Sequence, residues 1–280
     1  MSNQLPQDQY VKVGNINTRY WSAGDKGSVV VLIHGLGGFI ENWVYNIGPL
    51  SKSHRVYALD LPGFGRSDKP LIRDLTVLVR FLAGFLDALG IEKASLIGNS
   101  LGGGLVLFFA LGSPGRVEKL VLVDTAGMGK SVIADFKVCS LPVAGELLIR
   151  PTLKSTANLW QKVVYDPSLV TPELVDSSFK LASLPGARQA LLATLRAGIG
   201  IFGQRDKYTK LILKDLGKIT EPTLIFWGSE DRIIPVAHSR IAAAKITGAR
   251  LHIWEKCGHM PMFEYPDKFN TLVLDFLSGR

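Results

Sequence analysis

Short apolar runs alternate along the chain with longer segments in which apolar residues recur every three or four positions. The first run, within residues 28–35, contains five consecutive apolar residues and is typical of a strand buried on both faces. The segment 74–90 shows helical spacing and ends at a glycine, as an amphipathic helix does. This alternation predicts an α/β fold with a mostly parallel sheet covered by helices on both faces.

Further strands are predicted within residues 54–65, 93–98, 117–124, 222–228 and 249–255, and further helices from Ser100 and from Pro266. One long segment interrupts the alternation, because residues 127–218 contain helical stretches separated by prolines and no convincing strand. We therefore expect a core domain formed by residues 1–126 and 219–280. Residues 127–218 are expected to form a helical insertion between two late strands.

The composition is that of a globular protein with a substantial core, since 47% of the 280 residues are hydrophobic and 20% are charged. The beginning of the chain lacks the pattern of a signal peptide. The longest uncharged apolar run has 12 residues, too few to cross a bilayer. Cys139 and Cys257 are more typical of reduced thiols than of a disulfide framework. These features predict a cytoplasmic protein without a membrane span.

The formal net charge of +8 raises the question of nucleic-acid binding. The excess of lysine and arginine lies mainly between residues 129 and 218, where the basic residues are scattered singly. Because a nucleic-acid site needs clustered basic residues, we expect a solvated basic face and no nucleic-acid partner. The sequence has no H-E-x-x-H, C-x-x-C or Walker pattern, so neither a metal nor another cofactor is expected.

A single serine stands at a predicted strand-to-helix junction, in the stretch "LIGNSLGGG". Gly98 and Gly102 flank Ser100 at two residues on either side, which lets the strand and the helix approach closely. A serine hydroxyl needs a base to accept its proton and donors to stabilise the oxyanion that forms on the attacked carbonyl. The pattern therefore makes Ser100 a candidate nucleophile.

The candidate base is His259, because it lies on a loop that follows the last predicted strand. In a parallel sheet this loop reaches the same edge as Ser100. The other histidines end, begin or lie within predicted elements, and a structural role is expected for His34 in particular. The acid that would orient His259 is left open by the residues alone: Glu230 and Asp231 follow the preceding strand, and Asp124 ends another.

Five motifs together resemble the α/β-hydrolase fold superfamily, from about Tyr10 to Leu277. The order of serine, acid and histidine along strand-ending loops is that of the superfamily. The motifs are "HGLGG" at 34–38, "LDLPGFGRSD" at 59–68, "GNSLGG" at 98–103, "WGSEDRIIP" at 227–235 and "GHMP" at 258–261. The resemblance implies an α/β-hydrolase fold in which the helical insertion occupies the position of a lid.

The resemblance also implies roles for particular residues. The acid of the W-G-x-x-D pattern falls on Asp231, in preference to Glu230 and Asp124. The oxyanion hole of such enzymes consists of two backbone N–H groups, which fall here on Leu36 and Leu101. The catalytic set implied is Ser100, Asp231 and His259. Gly35, Gly37, Asn99 and Met260 are expected in the substrate pocket.

Within the superfamily, a serine nucleophile excludes the dehalogenase and epoxide hydrolase chemistries, which need a carboxylate. The chain resembles small bacterial carboxylesterases and also meta-cleavage-product hydrolases, which cut a carbon–carbon bond. The latter usually carry a tryptophan after the catalytic histidine, where this chain has Met260, and a proline in the oxyanion loop, which "HGLGGFIENW" lacks. The expected function is therefore cleavage of small hydrophobic esters. The alternatives are carbon–carbon bond hydrolysis and a non-enzymatic small-molecule receptor.

Overall fold

A computed structural model describes residues 5–279 and contains one large sheet of eight strands. The strands in chain order are β1 Gln9–Val13, β2 Ile16–Ala23, β3 Val29–Ile33, β4 Arg55–Leu59, β5 Ala94–Asn99, β6 Val117–Val123, β7 Ile199–Gly200, β8 Gly203–Gln204, β9 Thr223–Gly228 and β10 Arg250–Trp254. The spatial order of the large sheet is β1-β2-β4-β3-β5-β6-β9-β10. Strands β3, β4, β5, β6, β9 and β10 are parallel, which confirms the mostly parallel sheet.

Helices cover both faces of this sheet, and others make up the segment between β6 and β9. They are α1 Ile47–Ser51, α2 Thr76–Ala88, α3 Leu101–Gly112, α4 Ala134–Cys139, α5 Ala144–Leu148, α6 Leu153–Val163, α7 Pro172–Ala182, α8 Ala187–Gly198, α9 Asp206–Asp215, α10 Ala237–Lys245, α11 Pro261–Glu264 and α12 Pro266–Leu277. Among the residues described, no helix combines the length and apolar character that crossing a membrane requires.

The core has two halves, one on each face of the sheet. Successive residues of β3 alternate between them: Val31 and Ile33 pack with α2 and α3, whereas Val30 and Leu32 pack with residues of α12. All five residues of β3 are buried, as the continuous apolar run predicts. This two-sided burial explains why the central strands contain so few polar residues.

The antiparallel strands β1 and β2 are not among the predicted elements. They form a hairpin around Gly14, which has a φ of 58°, and β2 also pairs with β4 in antiparallel fashion. Exposed and half-buried residues alternate along β1 because the hairpin lies at the edge of the sheet. A short amphipathic edge strand gives a weaker sequence signal than a buried apolar run.

The segment between β6 and β9 contains helices α4 to α9, in agreement with a helical insertion. The expectation that residues 127–218 contain no strand is wrong. The two-residue strands β7 and β8 pair with each other in antiparallel fashion, next to Gly203 with a φ of 100°. Two residues are too few to show a period in the sequence.

The parallel strands bring four distant residues to one edge of the sheet. Ser100 follows β5, Asp124 follows β6, Asp231 lies beyond β9 and His259 lies on the loop after β10. These strands are consecutive neighbours in the sheet. The carboxyl ends of parallel strands are where open α/β sheets place their ligand sites.

Candidate active site

Ser100 occupies a sharp turn between β5 and α3. Its φ of 54° and ψ of −116° lie in a region that residues other than glycine rarely adopt. The turn is held by hydrogen bonds on both sides, because the Ser100 N–H donates to the Val123 carbonyl (2.9 Å) and the Ser100 carbonyl accepts from the Ala126 N–H (3.0 Å). A strained backbone fixed in this way is characteristic of a serine presented above a sheet.

Glycines surround this turn because other main-chain segments approach it closely. A Cβ on Gly98 would lie 2.4 Å from the carbonyl oxygen of Gly102, and one on Gly102 would lie 2.4 Å from that of Ile33. A Cβ on Gly35 would lie 2.9 Å from the Cβ of Ser100. Both flanks of Ser100 therefore require glycine for packing, although neither Gly98 nor Gly102 has a positive φ.

His259 and Asp231 form the central hydrogen bond of the site. The Nδ1 atom of His259 lies 2.7 Å from Oδ2 of Asp231, and the two side chains are 7% and 0% exposed. Oδ1 of Asp231 accepts the backbone N–H groups of Ile233 (2.7 Å) and Ile234 (3.1 Å). Asp231 is thus held as an acceptor of three hydrogen bonds. It fixes the tautomer of His259 that leaves Nε2 available as a base.

The main chain of His259 is fixed from two directions. Its N–H donates to the carbonyl of Val163 (2.7 Å), in the insertion. Its carbonyl accepts from Nδ2 of Asn99 (3.1 Å), and the same amide group also donates to the Val123 carbonyl (3.3 Å). Asn99 directly precedes Ser100. It therefore links the serine turn to the histidine loop, a role that the sequence did not reveal.

Glu264 is a further residue that the sequence analysis missed. Its carboxylate accepts the backbone N–H groups of Tyr165 (2.6 Å), Gly258 (2.8 Å) and Met260 (3.3 Å). Burial raises the pKa of Glu264 above its ordinary value, and the three backbone N–H groups act in the opposite direction. The residue fastens the histidine loop to the insertion. Its only sequence signal is a carboxylate five positions after His259.

The two other candidate acids have different contacts. Oε2 of Glu230 accepts the backbone N–H of Cys257 (3.0 Å), so this residue fixes the start of the histidine loop. Asp124 is completely buried, and its Oδ1 accepts the N–H of Gly228 (3.0 Å). Of the three candidates, Asp231 is the one whose carboxylate contacts the ring of His259.

A partly open cavity lies beside Ser100. Leu36 and Leu101, the predicted donors of the oxyanion hole, line it together with Ser100. Helices α2 and α3 provide one wall and the insertion provides the other. Most of the lining is apolar and includes Leu75, Val79, Phe108, Phe136, Leu195 and Ile212. A concave site with so apolar a lining suits a small apolar ligand.

The four residues expected in the pocket are not among the described residues that line this cavity. Gly35 lies behind Ser100, and Asn99 is turned inward by its two hydrogen bonds. Gly37 has a φ of 73° in the loop after β3. Met260 is 6% exposed and belongs to the core half that contains α12. Proximity in sequence to Ser100 or His259 therefore did not place these residues in the cavity lining: the side chains of Asn99 and Met260 are buried, and Gly37 is half-buried in its loop.

His34 has the structural role that was expected for it. Its buried ring donates from Nδ1 to the carbonyl of Gly35 (2.7 Å) and accepts the N–H of Leu61 at Nε2 (3.0 Å). Burial lowers the pKa of His34 from 6.5 to about 4. Asp60 and Ser67 likewise fix the loop after β4, where the Ser67 hydroxyl donates to the Asp60 carbonyl (2.8 Å).

Comparison with known proteins gives the family and its relatives. A 2-hydroxy-6-oxononadienedioate/2-hydroxy-6-oxononatrienedioate hydrolase of Comamonas testosteroni is 33% identical over 275 residues, or 95% of this chain and 93% of that protein. The acetyltransferase component of an acetoin-cleaving system of Cupriavidus necator is 32% identical, over 97% of this chain and 69% of that protein.

Among solved structures, a meta-cleavage product hydrolase of Pseudomonas fluorescens superposes with a TM-score of 0.84 at 31% identity, over 98% of both chains. A bacterial membrane phospholipase A gives a TM-score of 0.77 at 28% identity, over 98% of this chain and 86% of that one. A family model described as the alpha/beta hydrolase fold matches residues 28–266. The chain therefore belongs to the α/β-hydrolase fold family.

Proposed function

We propose that this protein is a serine hydrolase that cleaves a carbon–carbon bond next to a ketone, in substrates of the meta-cleavage-product class. The observation that carries the proposal is the opening of Ser100, Leu36 and Leu101 into one apolar cavity at the sheet edge that also holds the hydrogen-bonded pair of His259 and Asp231. Full-length similarity to hydrolases of this class supports the choice of bond. The presence of a base and an acid beside the serine disfavours a receptor without turnover.

In the proposed reaction, the Oγ of Ser100 attacks the ketone carbonyl and its proton passes to Nε2 of His259. The oxyanion accepts hydrogen bonds from the backbone N–H groups of Leu36 and Leu101. Asp231 stabilises the imidazolium, as its 2.7 Å hydrogen bond to Nδ1 allows. Each group acts on the atom where charge develops in the transition state.

Cleavage requires the keto tautomer of the dienoate, in which the proton of the 2-hydroxyl group has moved to the carbon next to the ketone. The carbon–carbon bond then breaks, and its electron pair delocalises from that carbon onto the 2-oxo group as a conjugated dienolate. His259 returns the proton to the dienolate oxygen, and the acyl group stays on Ser100 as an ester. Water attacks this ester with His259 again as the base. The products are a carboxylic acid and a protonated dienol fragment, and Ser100 recovers its proton.

The charge of the cavity bears on the substrate. A dienoate carries a carboxylate, and burying an unpaired carboxylate is costly. Arg205 is the one lysine or arginine among the described residues that line the cavity. Its Nε donates to the carbonyl of Arg196 (2.8 Å), which orients the guanidinium. Arg205 is therefore the proposed partner of the substrate carboxylate.

Cleavage of hydrophobic carboxylic esters is the second candidate. The specific observation in its favour is the lining itself, which is mostly aliphatic and aromatic on the walls from both the core and the insertion. Met260 after His259 agrees with it, because the carbon–carbon hydrolases usually carry a tryptophan there. The same nucleophile, base and oxyanion donors would serve, with an alcohol as the leaving group.

One comparison separates the two candidates. Purified wild type and Ser100→Ala are assayed with 2-hydroxy-6-oxo-6-phenylhexa-2,4-dienoate and with p-nitrophenyl butyrate. We expect a higher kcat/KM for the dienoate, and a loss of about 10⁴-fold or more in Ser100→Ala. A higher kcat/KM for the ester would favour the esterase, and equal turnover by both proteins would exclude Ser100 as the nucleophile.

Arg205→Leu tests the substrate class independently, with Arg240→Leu on the exposed side of α10 as the matched control. We expect Arg205→Leu to raise the KM for the dienoate about tenfold or more, the size of a lost charged hydrogen bond, while the ester is unaffected. Equal effects on both substrates would contradict a carboxylate partner.

A further inference from the structure

Asp124 is a buried carboxyl group to which the catalytic steps above assign no role. It ends β6 with a φ of 45°, in the left-handed region, and its side chain is inaccessible to solvent. Its backbone N–H donates to the Phe226 carbonyl (3.0 Å), and its Oδ1 accepts the N–H of Gly228 (3.0 Å). Both contacts are to β9, so Asp124 bridges the strand ends that precede Asp231.

The second oxygen of Asp124, Oδ2, is buried and receives no hydrogen bond from an N–H or O–H group of the described residues. One oxygen of Asp124, one of Asp231 and a ring nitrogen of His259 all lie within 4.8 Å of one another. Two ionised carboxylates at such a distance repel strongly when both side chains are buried, as those of Asp124 and Asp231 are. One of the two therefore carries a proton, and that proton can bridge them.

The surrounding donors decide which carboxyl is ionised. Asp231 accepts two backbone N–H groups and the ring of His259, whereas Asp124 accepts one backbone N–H. Hydrogen bonds to a carboxylate favour its charged form. Burial, followed by the charge of Asp231, raises the pKa of Asp124 well above its ordinary value, and the nearby Glu264 acts in the same direction.

We propose that Asp124 is a positioning residue, a neutral carboxylic acid that donates its O–H to the carboxylate of Asp231. This inference rests on the proposed function, in which Asp231 orients His259. The fourth hydrogen bond fixes the rotation of the Asp231 carboxylate and keeps Oδ2 directed at Nδ1 of His259. Asp124 touches neither the substrate nor Ser100 in this role, and it acts through Asp231 alone.

The role predicts a particular pH dependence. Four other titratable groups face Asp124 and Asp231. Three of them, His259, Glu264 and Cys257, lie on or beside the histidine loop, and the fourth is His238 of α10, whose pKa the charge of Asp231 acts to raise. Because burial and the charge of Asp231 raise the pKa of Asp124, its neutral form persists to a higher pH than that of an ordinary aspartic acid. Ionisation would then place a second negative charge beside Asp231, break the O–H hydrogen bond and stabilise the imidazolium of His259. We expect activity to fall on the alkaline side for this reason.

Asp124→Asn mimics the neutral acid, because its amide can donate to Asp231 and accept from Gly228. We expect kcat of this variant to lie within about threefold of wild type at pH 7, because one hydrogen bond is exchanged for another of nearly the same geometry. The fall in activity at higher pH that is due to ionisation of Asp124 should be absent. Asp124→Ala is expected to lower kcat by about tenfold to a hundredfold without a change in KM, the size of a lost hydrogen bond to a charged group. A loss in Asp124→Asn as large as that in Asp231→Asn would overturn the proposal, since an ionised Asp124 would then be required.

Two measurements need no substrate, and the first of them needs no alanine variant. The infrared difference spectrum between wild type and Asp124→Asn at pH 8 should contain the carbonyl stretch of a neutral carboxylic acid. The proton resonance of His259 Nδ1–H should persist in Asp124→Asn and shift in Asp124→Ala. Absence of the carbonyl band overturns the proposal. Failure of the proposed function gives a different result: the wild-type protein would show the carbonyl band but would turn over neither the dienoate nor the ester.

Discussion

The backbone N–H of His259 donates to the carbonyl oxygen of Val163 across 2.7 Å, and this hydrogen bond joins the proposed base to the last residue of α6. The insertion therefore does more than cover the cavity, because it also fixes the main chain of the histidine loop. Glu264 reinforces the connection, since its carboxylate accepts the N–H of Tyr165 from the insertion and that of Gly258 from the loop.

Gly258→Ala should uncouple the insertion from the histidine loop. A Cβ at this position would lie 2.6 Å from the Val163 carbonyl oxygen and 2.8 Å from the Tyr165 nitrogen, so one of the two segments must move. We expect kcat to fall about 10²-fold, the cost of a displacement near 1 Å in a catalytic group. Gly217→Ala is the control, because its nearest neighbour would be the Lys245 carbonyl oxygen at 3.6 Å. Unchanged kcat in Gly258→Ala would show that the contact does not position His259.

Asp231→Asn tests the acid directly. The asparagine amide would replace the acceptor that faces Nδ1 of His259, favour the wrong tautomer and remove the charge that stabilises the imidazolium. We expect kcat to fall about 10⁴-fold with little change in fold. Glu230→Gln is the matched control, because Glu230 is the adjacent acid and bonds the Cys257 N–H instead. Steady-state kinetics measure kcat of both variants, and circular dichroism checks their fold. A larger loss of kcat in Glu230→Gln than in Asp231→Asn would make Glu230 the acid instead.

Gly102→Ala and Gly112→Ala compare two glycines of the same helix, α3. A Cβ on Gly102 would meet the Ile33 carbonyl oxygen at 2.4 Å, whereas a Cβ on Gly112 would meet nothing within 4 Å. We expect Gly102→Ala to lower the free energy of unfolding by about 1–3 kcal/mol or more through overpacking. Gly112→Ala should raise it by up to about 1 kcal/mol, since alanine favours the helix. Urea titration of both variants measures the free energy of unfolding. Equal changes in the two variants would contradict the close approach of β3 to α3.

His34 should make the protein less stable in mild acid. Both ring nitrogens are engaged and the pKa is lowered from 6.5 to about 4, so the folded state binds fewer protons than the unfolded state within this interval. The stability contributed by the neutral ring is complete above pH 6.5. This stability is lost progressively as the pH falls towards 4. The loss in the free energy of unfolding is about 2 kcal/mol at pH 5.

The measurement is the free energy of unfolding at pH 7.5 and pH 5, in wild type and in His34→Gln. The glutamine carbonyl retains an acceptor for the Leu61 N–H but does not titrate. We expect the difference between the two pH values to be about 2 kcal/mol smaller in the variant. An identical difference in both proteins would assign the acid sensitivity to other groups.

The sequence predicted most of the central fold because the central strands are buried on both faces. Continuous apolar runs located β3, β5, β6 and β9 to within a few residues, and the helical spacing of residues 74–90 located α2. The edge hairpin of β1 and β2 and the two-residue strands β7 and β8 escaped, because weak alternation and very short length leave little periodic signal.

By itself, the sequence determined that Ser100 and His259 lie on loops at one edge of a parallel sheet, since chain order and strand type fix which ends meet. The family resemblance pointed to Asp231, and the tertiary structure shows its contact with His259. Only the tertiary structure decided which walls enclose the cavity, and that Asn99, Val163 and Glu264 fasten the histidine loop. These contacts join residues far apart in the chain, as Asn99 and His259 are, 160 positions apart. Their geometry arises when strands, helices and the insertion pack together, and no local pattern of residues encodes it.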